Sequence, residues 1–135
     1  MEREGTACRG VRGATTLDTA AGGAETSCVE LLGQMLEANG ASVEDVAAAI
    51  FTLDDDLAGE NPAAAARAAG WELVPLLMVR EHGADDRVAR CLRVLLLVNT
   101  TRSQPEIRHV YLRGAEVLRP DLTRTSTNSH GRGTQ

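Results

Sequence analysis

Apolar and polar residues alternate weakly through residues 8–16, CRGVRGATT, and the two closing threonines favour a strand. LDTAAGGA, residues 17–24, reads as a loop. From Glu25 to Ala38 the residues Cys28, Leu31, Leu32, Met35 and Leu36 fall at i, i+3, i+4, i+7 and i+8, the apolar face of a helix. Asn39-Gly40 stops that helix, glycine being the residue that closes a last turn most easily. Ser42-Val43-Glu44-Asp45 has the side chains of a capped helical turn. VAAAIFTL, 46–53, follows as a strand, and DDDLAGENP, 54–62, as a loop. Pro62 opens a short alanine-rich helix that Gly70 ends.

WELVPLLMV, 71–79, predicts a strand, in which Pro75 requires an edge position or a bulge. REHGADDR, 80–87, is a turn, and RCLRVLLLVNT, 90–100, is the most continuously apolar strand of the chain. After a turn at SQPEI, HVYLRGAEVL is expected to form two short strands broken at Gly114. Residues 1–122 then make one domain, and the tail from Thr123, almost without apolar residues, is expected to be disordered. The order β-α-β-α-β-β-β predicts an α+β fold, a mixed sheet with helices on one face. Its other face is apolar as well. In so small a chain such a face is usually hidden against another subunit.

Composition narrows the function. Of 135 residues, 43% are hydrophobic but only 2% aromatic, so the core is aliphatic and there is no platform of rings for single-stranded nucleic acid. The net charge of −5 argues against a general polyanion binder, although a local cluster of arginines stays compatible with it. Cys8, Cys28 and Cys91 are scattered, odd in number and without a C-x-x-C pair, which excludes a disulfide framework and a zinc site. The N-terminal MEREGTACRG has no apolar core of a signal peptide, and no run approaches the ~20 apolar residues of a membrane span. A soluble cytoplasmic protein is expected.

One charge stands out. Arg93 sits at the mouth of the apolar run Val94–Val98, and an arginine cannot lose its charge to suit an apolar site. Either it stands at the strand entrance with its head in water or paired with Asp86 or Glu81, or it faces an anion or lone-pair ligand in a half-buried pocket. Arg12, between Val11 and Gly13, is a second such arginine. Glu81 closes the strand LLMV, where a carboxylate is either solvated or functional. Tyr111, the chain's single tyrosine, is either core with a wet tip or a donor to a carboxylate. Other groups fall away. Asp54, Asp55 and Asp56 match no EF-hand spacing and read as a solvated loop. His82, His109 and His130 have no metal or triad companions, R-G-V-R-G lacks the G-K-[ST] of a phosphate loop, and Cys91 reads as a small core residue. No activated nucleophile is visible.

VRGATT, NPAAAARAAGW, VPLLMVRE, CLRVLLLVNT and IRHVYLRGAEVLRPDL stand in one order between Arg9 and Leu122. In this the chain resembles the AroH-class chorismate mutases, the small monofunctional ones rather than the all-helical class. The motifs are specific together and weak singly. The resemblance implies a mixed five-stranded sheet with helices on one face, three copies of which pack into a pseudo-α/β-barrel of the kind shared with YjgF proteins. It implies active sites at the clefts between subunits of a homotrimer, and the Claisen rearrangement of chorismate to prephenate on the way to phenylalanine and tyrosine. That reaction uses no cofactor and no metal.

By match to the family's motifs, Arg93 would stand at the ether oxygen, Arg12 at a substrate carboxylate, Tyr111 as a carboxylate donor and Glu81 as the acceptor for the ring hydroxyl. Arg67 would reach in from the neighbouring subunit. Ala63, Leu76, Leu77, Met78, Leu118 and Arg119 would complete the binding surface. The chain departs from the family at Met78, where a cysteine is common, at Asn61, where an aromatic ring occurs, and at Ala64, where some members have lysine. The stretch from Pro62 to Trp71 is also one residue shorter than in some members. Two other readings exist. SVEDVAAAIFTLDDDLAGENPAAAA resembles RidA/YjgF-type imine deaminases, which lack the VRGATT start and the LRPDL end. A non-catalytic trimer sensing an aromatic-pathway metabolite is the other, against which Glu81 and Tyr111 beside both arginines weigh.

Overall fold

The computed structural model describes residues 5–18, 23–57, 59–81 and 89–118. Its elements run β1 (Ala7–Thr16), α1 (Ala24–Ala38), β2 (Val46–Leu53), α2 (Pro62–Ala66), β3 (Leu76–Arg80), β4 (Cys91–Thr100) and β5 (Val110–Tyr111), in the expected order. The five strands make one sheet ordered β3-β2-β4-β1-β5. β4 lies antiparallel to β1 and β2; β2–β3 and β1–β5 are parallel. The sheet is therefore mixed, and both helices pack on one side of it.

Period-two alternation decides which residues meet the helices. Val11, Phe51, Leu92, Leu96 and Val98 are buried beneath α1 and α2, against Leu31, Leu32 and Met35 of the predicted helical stripe. Burying a side chain such as Phe51 stabilises the fold by about 1.5–3 kcal/mol. Gly13 is needed for this packing: a Cβ there would overlap Met35 Sδ. The glycine beside Arg12 thus lets helix α1 approach the sheet. Asn39 ends α1, followed by Gly40 at φ 61°. Ser42 and Asp45 form the expected capping box, Ser42 N–H donating to Asp45 Oδ2 at 2.9 Å. Asn61 caps α2, its Oδ1 accepting from Ala64 N–H at 3.0 Å.

Three local expectations are corrected. The strand predicted over 71–79 begins only at Leu76. Before it, the chain past α2 continues as a wide helical turn, Arg67–Trp71, closed by Gly70 at φ 106°. Trp71 and Val74, three apart, both reach the core, and Val74 N–H bonds Trp71 O at 3.1 Å. Two buried anchors at helical spacing override strand propensity there. Pairing with β2 starts at Pro75, whose carbonyl accepts from Ala49 N–H at 3.0 Å, and β3 is an edge strand, as the proline requires.

HVYLRGAEVL yields one strand of two residues, not two strands. Arg113 and Gly114, at φ 52° and 89°, turn the chain into a helical turn at Ala115–Leu118. Ala115 is fully buried, and its N–H bonds Leu112 O at 3.0 Å. The acidic run is no simple solvated loop either: Asp55–Leu57 is a helical turn drawn in by Leu57, 1% exposed.

The sheet face away from the helices stays open in the single chain. Leu77, Val79 and Leu95 are 57%, 41% and 36% exposed there. The tail from Thr123 lies outside the described residues. Among the described residues, no helix is long and apolar enough to cross a membrane.

Candidate active site

Strand register gathers the candidate residues. Val79, Thr52, Arg93, Ala14 and Tyr111 stand side by side in one row across all five strands. The adjacent row holds Leu77, Ile50, Leu95 and Arg12. These rows lie on the open face. Small Ala14 and Thr52 flank Arg93 and leave room above the sheet. The result is a cavity of about 470 Å³ whose lining includes Arg12, Thr52, Glu81, Arg93 and Tyr111. The four residues singled out from sequence thus converge on one half-enclosed space, although they come from three strands and the end of a fourth.

Each is held by a neighbour. Glu81 follows β3; its N–H bonds Leu53 O at 2.8 Å, and its Oε1 accepts from Thr52 Oγ1 at 2.7 Å. That same oxygen lies 3.3 Å from Arg93 Nη1, and Asp54 Oδ1 lies 3.8 Å from the same nitrogen. The Arg93 side chain is only 20% exposed, so these charges interact with little screening. Of the two partners considered for Arg93, Glu81 is present and Asp86 lies outside the described residues. Arg12 N–H donates to His109 Nδ1 at 2.9 Å, which leaves that imidazole nitrogen an acceptor. The segment leading to Tyr111 is pinned one element away: Asn39, buried behind α1, accepts from Arg108 N–H at 2.8 Å and donates to Arg108 O at 2.9 Å. Tyr111 itself is 8% exposed and packs on Ala14, Cys91 and Ala115.

Thr52, His109 and Asn39 were not singled out from sequence for the site. Thr52 shares strand parity with Ile50, which sequence shows, but its pairing opposite Arg93 is set by the register between distant strands. Asn39 and His109 act through contacts 69 and 97 residues apart along the chain, which no local pattern reveals. The buried Cys91 is the small core residue expected. Burial pushes the Cys28 thiol up to about 12, so Cys28 is no nucleophile.

The remaining candidates lie elsewhere in the single chain. Arg67 is exposed just beyond α2, Ala63 is buried in the core and Leu76 is half-buried against it. Met78 pairs with Phe51 on edge strand β3, 39% exposed, and Leu77 lies in the row beside Ile50. Leu118 ends the last helical turn, and Arg119 is outside the described residues. None of the described members of this group lines the cavity of its own chain.

The arrangement combines two guanidiniums, a carboxylate and a phenol around a space suited to a small polar anion. Among the described residues no cluster of His, Cys, Asp and Glu is arranged to hold a metal ion. Comparison with known proteins agrees with this geometry. The family model for chorismate mutase type I matches residues 8–122. "Chorismate mutase AroH" of Thermus thermophilus is 49% identical over 116 residues, 84% of this chain and 95% of that protein. "Chorismate mutase AroH" of Bacillus subtilis is 38% identical over 122 residues, 87% of this chain and 94% of that protein. The solved structure of a chorismate mutase from Clostridium thermocellum superposes with a TM-score of 0.75 at 38% identity, covering 80% of this chain and 97% of that one. With its sheet order, its cavity and these relatives in agreement, the chain belongs to the type I chorismate mutases, the AroH class.

Proposed function

We propose that this chain, as a cytoplasmic homotrimer, converts chorismate to prephenate in the cavity above Arg93, a step toward phenylalanine and tyrosine. The observation that carries this reading is the pair of adjacent sheet rows that place Arg12, Arg93, Glu81 and Tyr111 around one half-enclosed space.

The chemistry asks for little more. Chorismate is a dianion, and its rearrangement moves electrons within one molecule, so no group is transferred to the protein. In the transition state the ether C–O bond breaks ahead of C–C bond formation, and negative charge grows on the ether oxygen. Arg93, half-buried and braced by Glu81, is a preorganised cation for that oxygen; its interaction strengthens as the charge develops, which lowers the barrier rather than merely tightening binding. Removing one such donor commonly costs about 3–4 kcal/mol, and a full charge more. Arg12 holds a substrate carboxylate, and Tyr111 donates to a carboxylate from the far end of the Arg93 row. Glu81 accepts from the ring hydroxyl through the oxygen that Thr52 does not occupy. Holding the chair-like conformer supplies the entropic part of the acceleration.

The open face supports the trimer. Leu77, Val79 and Leu95 expose apolar surface next to the cavity, and two further copies packing there would bury it and close the site. In that assembly Arg67, Leu76, Met78, Leu118 and Arg119 come to the site, some of them from the neighbouring copy, while Ala63 stays in the core of its own chain beneath them. The test is direct: purified protein mixed with chorismate should show loss of chorismate absorbance with appearance of prephenate. A folded, assembled protein that leaves chorismate unchanged would falsify the proposal.

A further inference from the structure

A fourth charge stands behind the four groups around the cavity. Asp54 Oδ1 is 3.8 Å from Arg93 Nη1, on the nitrogen that Glu81 approaches at 3.3 Å. At 3.8 Å the Asp54 contact is longer than a hydrogen bond, so it acts chiefly through its charge. Direction is set by Glu81, which Thr52 holds at 2.7 Å. The Asp54 side chain is 25% exposed and is not part of the cavity lining. Its place is nevertheless fixed. Leu57 N–H bonds Asp54 O at 3.0 Å, Leu57 is anchored in the core, and Asp56 Oδ2 accepts the N–H of Arg90 at 2.9 Å. The short turn after β2 therefore carries a negative charge at a set position beside the arginine proposed to face the substrate.

We propose that Asp54 acts on the site through its charge beside Arg93 and limits the site's affinity for dianions, substrate and product alike. The inference rests on the reading of Arg93 given above. Two arginines facing a dianion in a low-dielectric cleft bind substrate, transition state and product strongly. The part of that attraction common to all three lowers KM without raising kcat, and it holds back the product. A fixed carboxylate behind Arg93 repels all three states through the dianion's full charge, and the transition state only slightly more, because just part of a charge shifts to the ether oxygen. It trims mainly the common part and leaves most of the preference for the transition state in place. Together the two arginines and the two carboxylates Glu81 and Asp54 balance in charge, so the dianion enters a site that is organised but not strongly cationic. Asp54 is 25% exposed and lies outside the cleft, so an effective dielectric constant of about 40 applies between it and a substrate carboxylate roughly 7 Å away, which changes affinity about five- to tenfold.

The test is Asp54→Asn, which removes the charge and keeps the shape. KM for chorismate should fall about five- to tenfold, the inhibition constant of prephenate should fall alongside it, and kcat should change less than KM. The difference from wild type should shrink as salt is raised to about 0.5 M. Asp54→Glu, which restores the charge, should return KM toward wild type. An unchanged or raised KM in Asp54→Asn would overturn the proposal, as would a kcat loss beyond about tenfold at constant KM, which would make Asp54 a mechanical prop. Calorimetric titration with prephenate reads the same contrast without turnover. An inactive wild type would therefore overturn the reading of the site, while the titration still decides the role of Asp54.

Discussion

On the helix-covered face of the sheet, Val11, Phe51, Leu92, Leu96 and Val98 are closed off from water within one apolar cluster. On the opposite face the same strands present Arg12, Thr52 and Arg93 among Ile50, Leu77 and Leu95. One residue of register separates the two sets, because successive side chains of a strand point to opposite sides. The difference teaches how a small chain affords both a core and a site: stability is concentrated on one side, which frees the other to hold charges in a half-dry setting.

That division can be broken from either side. The largest effect on stability should come from the covered face: Phe51→Ala should destabilise the fold by about 3–5 kcal/mol, read by denaturant melts, because it leaves a cavity in the core cluster. Its neighbour Ile50 on the open face gives the contrast; Ile50→Ala should change the single chain's folding far less and act on assembly instead. An equal loss of folding stability in both would erase the distinction between the faces. Next, Leu95→Asp should leave the fold intact and dissociate the assembly, seen by sedimentation as a shift to monomer. A Leu95→Asp protein that sediments as wild type would show that this face is not the contact between copies.

A smaller effect is expected from Thr52→Val, which keeps shape and removes the donor to Glu81. It should lower kcat/KM about five- to tenfold, in line with the ~1–1.5 kcal/mol of one hydrogen bond, and barely move the melting temperature. The smallest contrast concerns the cysteines. Exposed Cys8 should react with alkylating reagents in the native protein, whereas buried Cys28 and Cys91 should react only after unfolding. Burial raises the Cys28 value from 9.0 to about 12 in the folded chain, so its contribution to stability is full below pH 9.0 and is lost as pH rises toward 12. A chain whose stability is flat across that range, or whose Cys28 labels as fast as Cys8, would contradict this burial.

Sequence pattern was most informative where one force acted alone. The α1 stripe, the Asn39-Gly40 stop and the long strand β4 follow from periodicity and glycine chemistry, and all are present. Arg12, Glu81, Arg93 and Tyr111 were legible as charged or polar residues in apolar strands. Their convergence was not legible, because it depends on register between strands far apart in the chain. Errors arose where two signals competed. Trp71 and Val74 have strand-like neighbours but serve as helical anchors, and the residues after Tyr111 turn at Arg113-Gly114 to bury Ala115. The acidic run misled for another reason: composition gives charge, but only the fold shows that Asp54 faces Arg93 and Asp56 the backbone of Arg90.

The most direct test of the whole account pairs two readings on Arg93→Ala: kcat/KM with chorismate, and the melting temperature. The account predicts a loss of about a thousandfold or more in kcat/KM, with a melting temperature and oligomeric state close to wild type. Activity within about tenfold of wild type in a folded, assembled Arg93→Ala protein would contradict the placing of the chemistry on the open face.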